Sequence, residues 1–220
     1  MKQAEVKTNF RGINMKRIEI GMAVLLAIGM AGYQSRIEAG SPAGGPAAQA
    51  TPPAAPVTLF DGKSLDGWRK LGTANWHIVE DYVEASSGTG FLVTPNAYGN
   101  FHLTAEFWTD ADANSGIFIR CSNPNEVTAA SAYEVNIFDK RPDPQYRTGA
   151  IVNVASPKAR LDAAGKWNTF EITAEGSRLV VRMNGTLMVD VMDTKFASGP
   201  IALQYGAGIV RFRNVKITPR

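Results

Sequence analysis

An all-β fold, an antiparallel β-sandwich of jelly-roll type, is predicted by two observations. From residue 57 onward the chain is a succession of short runs that alternate apolar and polar residues. Gly, Asn, Asp and Pro stand between the runs at frequent intervals, and no stretch keeps a helical period over three turns. Many short strands with Gly-rich turns point to a sandwich or jelly roll, with an up-and-down barrel as the lesser option.

The runs follow one another at 57–60, 76–79, 82–85, 90–93, 101–108, 114–121, 132–139 and 150–154, then at 167–174, 178–183, 186–191, 201–204 and 209–217. Asp61-Gly62, Ser87-Gly88, Pro95-Asn96 and Glu175-Gly176 punctuate them. The run 178–183, then Asn184-Gly185, then 186–191, predicts a hairpin closed by a type I′ turn. Short helical turns are expected at 126–131 and 156–163, and no internal repeat is present.

Ahead of the domain, residues 15–31 place Lys16 and Arg17 before a short apolar run and small residues. That is the layout of a secretory signal, and the apolar run is short for a membrane span. Residues 1–36 therefore read as an N-terminal extension with a signal-like segment, the true start falling at Met15. No cysteine lies near the apolar run, which argues against a lipid-modified N-terminus. The expectation is an exported chain, periplasmic or in the cell envelope; an uncleaved N-terminal anchor is the other reading. Residues 37–56 are almost all Gly, Ala, Pro and Ser, a composition that buries too little to offset chain ordering, so they read as a linker. Residues 57–220 remain as one domain with chain enough for a substantial core.

The net charge of +3 is mild and its Lys and Arg are scattered, without the basic stripe of a nucleic-acid binder. Cys121 is the only cysteine, so no intramolecular disulfide or cysteine metal cluster forms, and its place on the apolar side of its run predicts a buried, inert thiol.

The chemistry concentrates in three runs, 101–108 (FHLTAEFW), 114–121 (NSGIFIRC) and 132–139 (AYEVNIFD). With a period of two, one face is oily. If the strands share a sheet, the other face carries Glu106, Arg120, Glu134 and Asn136 among Trp108 and Phe118. No GxSxG elbow, phosphate-cradling GxxxxGK[ST] loop or HExxH spacing is present. His77 and His102, the two histidines, read as surface or edge residues. Laminarinase-type sandwich glycosidases carry Glu-x-Asp-x-Glu on one strand; this chain has Glu134-x-Asn136-x-Phe138, which disfavours hydrolysis by two facing carboxylates. A mixed site survives. Arg120 can bind an oxyanion, Glu134 or Glu106 can accept a proton, Asn136 and Gln204 can read hydroxyls, and Trp108 and Phe118 can stack on sugars. An exposed Arg120–Glu134 ion pair is the plain alternative, and the residues alone leave catalysis, binding and simple surface open.

The motifs LFDGKSLDGW (59–68), NSGIFIR (114–120), YEV (133–135), WN (167–168), NG (184–185) and FRNVKI (212–217) resemble, as an ordered set, the bacterial 3-keto-disaccharide hydrolase domain family. The resemblance runs through about the whole of residues 57–220. It implies a concanavalin-like jelly roll acting on 3-keto-glycosides, whose oxidised C3 a partner oxidoreductase supplies. In such a sugar the ketone acidifies the C2 proton, and its removal, expulsion of the aglycone and hydration give net hydrolysis. That chemistry asks for one base and one cation. Glu134 is then the expected base and Arg120 the enolate-stabilising cation, with room for a bound divalent metal. Glu106, Asn136 and Gln204 orient the sugar, beside Trp108, Phe118 and His102. The chain departs from the family where Asn136 replaces the common Gln, and where Tyr205-Gly206-Ala207-Gly208 replaces an Asp-His-Gly-like element. The alternatives are a non-catalytic lectin-like carbohydrate-binding module or a structural interaction domain.

Overall fold

The computed structural model describes residues 54–220; the signal-like segment and most of the 37–56 linker lie outside them. Thirteen strands form two antiparallel sheets. They are β1 (Val57–Phe60), β2 (Arg69–Gly72), β3 (His77–Val79), β4 (Tyr82–Ala85), β5 (Gly90–Val93), β6 (Phe101–Thr109) and β7 (Asn114–Ile119). There follow β8 (Tyr133–Ile137), β9 (Trp167–Glu175), β10 (Arg178–Met183), β11 (Thr186–Met192), β12 (Ala202–Ala207) and β13 (Val210–Pro219). The larger sheet has eight strands in the order β11-β10-β9-β6-β13-β4-β3, with β1 also paired to β13. The smaller has five, β2-β5-β12-β7-β8. The fold is the antiparallel sandwich expected from the alternating runs.

Period-two patterning decides what goes between the sheets. From β6, Phe101, Leu103, Ala105 and Phe107 are buried, while His102, Thr104, Glu106 and Trp108 turn outward. Phe170 and Ile172 of β9 and Phe212 and Ile217 of β13 extend that buried layer, and Leu92, Ile117, Val135 and Leu203 meet it from the five-stranded sheet. The Phe107 and Phe170 rings lie 4.6 Å apart within the layer. Each such side chain, fully removed from water, contributes about 2 kcal/mol before the entropy of ordering it is counted.

Three local expectations are corrected. β2 was absent from the alternating runs because Arg69 and Lys70 give it no apolar face; it is an edge strand, where charge is tolerated and discourages further pairing. The run 150–154 is no strand: Ile151 makes only isolated bridges to Val135 and Ala155. Neither 126–131 nor 156–163 forms a helix, and the helical element among the described residues is a 3₁₀ turn at Pro144–Tyr146, capped by Asp143 and started by a proline. That no helix of the described residues is long and apolar enough to cross a membrane follows from the same layout. The predicted β10–β11 hairpin closes at Asn184 and Gly185 with φ of 51° and 79°, the double positive φ that a type I′ turn demands.

Cys121 is 2 % exposed, and burial pushes its thiol up to about 12. A disulfide-exchange reagent at pH 8 is therefore expected to label the folded protein only at its opening rate and to react stoichiometrically after denaturation. Full labelling within minutes in buffer would contradict this packing.

Candidate functional site

The three central runs do not share a sheet. β6 lies between β9 and β13 in the eight-stranded sheet, whereas β7 and β8 pair with each other in the five-stranded one. The outward residues of β6 therefore face away from those of β7 and β8, on the opposite exterior of the sandwich.

On the eight-stranded side, Glu106 accepts from Arg213 Nε at 2.7 Å and from Asn214 Nδ2 at 2.9 Å. Burial raises its carboxyl, and these two hydrogen bonds outweigh burial and leave it below its ordinary range. The Arg211 guanidinium covers the Trp108 ring at 4.3 Å, and His102 Nδ1 meets Thr173 Oγ1 at 3.0 Å. Glu106, Trp108 and His102 are thus parts of a paired, solvated sheet exterior and are not brought to Glu134.

Arg120 is not on either exterior. β7 ends at Ile119, and Arg120 takes φ of 52°, which breaks the alternation that the sequence suggested. Its side chain is 1 % exposed. Nε donates to Gly99 O at 2.9 Å, and Nη1 donates to Gly176 O at 2.8 Å and Phe196 O at 3.1 Å. Nη2 reaches Asn100 Oδ1 at 3.4 Å. With its donors turned on backbone carbonyls of three segments, Arg120 is a structural tie and offers nothing to a ligand.

What does converge lies on the exterior of the five-stranded sheet. Across it Phe91 of β5, Gln204 of β12, Gly116 of β7 and Asn136 of β8 stand in one register row, with Glu134 opposite Phe118 in the next. A Cβ placed on Gly116 would stand at ordinary contact from Glu134 Cγ, 3.4 Å, and Gln204 Oε1, 3.5 Å, so these two side chains flank one position of the face. Gly116 needs no special φ. Gly116→Ala is expected to cost about 1 kcal/mol of stability, because the new methyl also sits 3.1 Å from Val135 O. A fall in Tm of about 2–4 °C in a thermal melt checks this.

Glu134 makes no side-chain hydrogen bond or ion pair among the described residues. Burial raises its carboxyl to about 7, partly opposed by the Arg141 cation. Gln204 Oε1 is buried and unpartnered. An acid near neutrality beside an unsatisfied buried amide is the signature of a site that completes its hydrogen bonds with a ligand. Asn136 is not free to join them. Its Nδ2 donates to Tyr146 O at 2.6 Å and its Oδ1 accepts from Ile137 N at 3.0 Å, so it braces the 138–148 loop. Phe118 is 1 % exposed, edge-on to Phe91 at 5.3 Å, and packs with Val93, Val127 and Ala202 in a small second core. It supports the floor and cannot stack on a sugar. Phe91, half-buried in the row beside Gln204, can.

Arg141 is the residue that the sequence reading missed. It follows β8 in a loop, where no period assigns a direction, and its guanidinium sits 4.9 Å above the Phe138 ring and 5.8 Å from Tyr146. Among the described residues no three His, Cys, Asp or Glu side chains gather in a metal-binding set.

Among solved structures, two from Parabacteroides distasonis, each provisionally called a glycosyl hydrolase, share this fold. One superposes with a TM-score of 0.69 at 17% identity, covering 75% of this chain and 94% of the other. The second gives 0.64 at 22% identity, covering 76% and 100%. The carbohydrate-binding module CBM66 of Bacillus subtilis gives 0.56 at 19% identity over 69% of this chain and 95% of its own. No curated protein matches in sequence. The sequence profile of the 3-keto-alpha-glucoside-1,2-lyase-like domain matches residues 55–218, nearly the whole described domain. By that match the chain is a member of the 3-keto-alpha-glucoside-1,2-lyase-like domain family.

Proposed function

We propose that this domain is carbohydrate-active and cleaves 3-keto-glycosides at the five-stranded face, with Glu134 as the base. The observation that carries the reading is the carboxyl of Glu134, which burial poises at about 7 and which has no protein partner. A carboxylate so placed accepts a proton near neutral pH and can return it, which one-base elimination and hydration requires. Glu134 removes the C2 proton, and the electron pair moves into the C3 carbonyl as an enolate. The enolate re-forms the ketone, makes the C1–C2 double bond and expels the C1 oxygen of the aglycone, which takes up a proton. Water then adds its hydroxyl at C1 and a proton at C2. Arg141, which already acts on Glu134, takes the place of Arg120 as the cation near the developing enolate. Gln204 and Phe91 hold the ring by hydrogen bond and stacking. Upstream, a partner oxidoreductase supplies the C3 ketone, and the chain works outside the cytoplasm.

A specific observation favours a second reading, a carbohydrate-binding module. Both histidines lie on the eight-stranded sheet, His77 on β3 and His102 on β6, and the β12 end that follows Gln204 supplies Tyr205, whose hydroxyl donates to Gly208 O at 2.9 Å. Neither histidine is therefore on the sheet that carries Glu134. Incubation with a chromogenic 3-keto-glucoside separates the two. Aglycone release supports the lyase, and saturable binding of the sugar without release supports the module.

A further inference from the structure

The 138–148 loop, which carries Arg141 over the Phe138 ring, has a second side. There Pro144, Arg147 and Thr148 meet the 157–161 segment across a cavity of about 310 Å³ that also exposes Lys158 and Arg160. A wider depression of about 550 Å³ continues from it, sharing Arg147 and Arg160 and adding Lys140, Asp139 and Asp162. The two share Arg147 and Arg160 and together line a basic groove on this side of the 138–148 loop.

Its charges are unevenly matched. Lys140 is paired with Asp112, and Arg160 lies 3.8 Å from Asp162. Asp139 is held by the Thr148 hydroxyl and by the backbone N–H groups of Ala163 at 2.7 Å and Ala164 at 3.0 Å, so its lone pairs fix the groove wall. Asp143 caps the 3₁₀ turn through Gln145 N. Arg147 donates to the Asp139 carbonyl, a neutral partner, and Arg141 rests on aromatic rings. Lys158 has Asp190 as its neighbouring acid, but Asp190 is already engaged by both Arg178 donors at 2.9 and 2.8 Å. Arg141, Arg147 and Lys158 thus have no carboxylate within ion-pair distance among the described residues.

We propose that the groove between Arg147 and Lys158 binds an anionic group on the saccharide, a carboxylate or a sulfate, so that the substrate class is an acidic glycoside. The inference rests on the placement of the active site at Glu134. Arg forks recognise planar oxyanions bidentately, and a groove walled by protein screens them less than open water does.

Binding to the full chain, measured by calorimetry, tests it with digalacturonic acid, neutral galactobiose and a monosulfated lactose, none of which carries a 3-keto group. At low salt at least one acidic sugar is expected to bind about tenfold tighter than galactobiose. Arg147→Met or Lys158→Met should remove that preference, and added salt should weaken it. Arg182→Met, on β10 and lining neither cavity, controls for net charge. Preference for digalacturonic acid alone assigns a carboxylate, and preference for the sulfated sugar alone assigns a sulfate. Equal affinity for charged and neutral sugars, or an equal loss with Arg182→Met, overturns the proposal. Discrimination without aglycone release from a 3-keto-glucoside would keep the groove and sink the lyase; release without discrimination would do the reverse.

Discussion

Glu134→Gln is expected to lower aglycone release by about 10²-fold or more, the usual worth of a positioned general base, while making the folded protein more stable at alkaline pH. The two effects share one cause. In the unfolded chain the carboxyl titrates near 4.5, and in the fold burial moves it to about 7. Between those values the native state binds more protons than the unfolded one, so stability falls as pH rises. The contribution of the neutral acid is intact below 4.5 and is gone once pH passes about 7. At about 1.4 kcal/mol per unit, the loss is on the order of 3 kcal/mol. Glutamine is neutral at every pH and escapes it. Urea unfolding of parent and variant should give similar midpoints at pH 4 and a clear advantage to Glu134→Gln at pH 8. The rate should rise with pH to a plateau, with its inflection near 7, as the base ionises. Near-parental turnover by the variant would remove Glu134 from the chemistry. Matching stabilities at pH 8 would mean that the carboxyl is better hydrated than its burial implies.

Alternation along 101–108 and 167–174 gave the buried and exposed sides of β6 and β9 correctly, because a sandwich core enforces period two. It also set Glu134 and Asn136 on one side of their run, which β8 keeps. Two things were not legible. One was sheet membership: β6, β7 and β8 follow one another in the chain, but β6 pairs with β9 and β13, far along the sequence. Pairing with distant strands leaves no local trace, and so Glu106, Trp108 and His102 were grouped with a face they never see. The other was direction after a strand ends. Arg120 lies just past the end of β7, although inside the alternating run, and Arg141 lies in the loop after β8; there a single left-handed residue or a loop resets the side-chain vector. The burial of Arg120 on backbone carbonyls, away from the polar face it was expected on, is the main correction.

Arg120 is where that correction can be measured. Its guanidinium joins the carbonyls of Gly99, Gly176 and Phe196, so one side chain ties the approach to β6, the β9–β10 turn and the segment after β11. The Tyr133 hydroxyl reinforces the last of these, donating to Asp193 at 2.6 Å and accepting from Phe196 N at 3.0 Å. No carboxylate neutralises the buried cation, and desolvation pulls its pKa below the ordinary arginine value. Carbonyl dipoles from three directions are what make the burial tolerable. Arg120→Met keeps much of the volume and strands those carbonyls. At about 1–3 kcal/mol for each unsatisfied group, the variant should lose more than about 3 kcal/mol. For a domain of this size that is a fall in Tm of about 10 °C. Arg120→Lys should recover little, since an ammonium on a single stem cannot span the three acceptors. Had Arg120 been the enolate-stabilising cation, the pattern would invert: Tm within a degree or two of the parent, with turnover lost. An Arg141→Met variant should show that second pattern, because its guanidinium is exposed and holds no backbone group in place. Thermal melts and rates on the two variants therefore assign structure to one arginine and chemistry to the other, and a stable, inactive Arg120→Met would reverse the assignment.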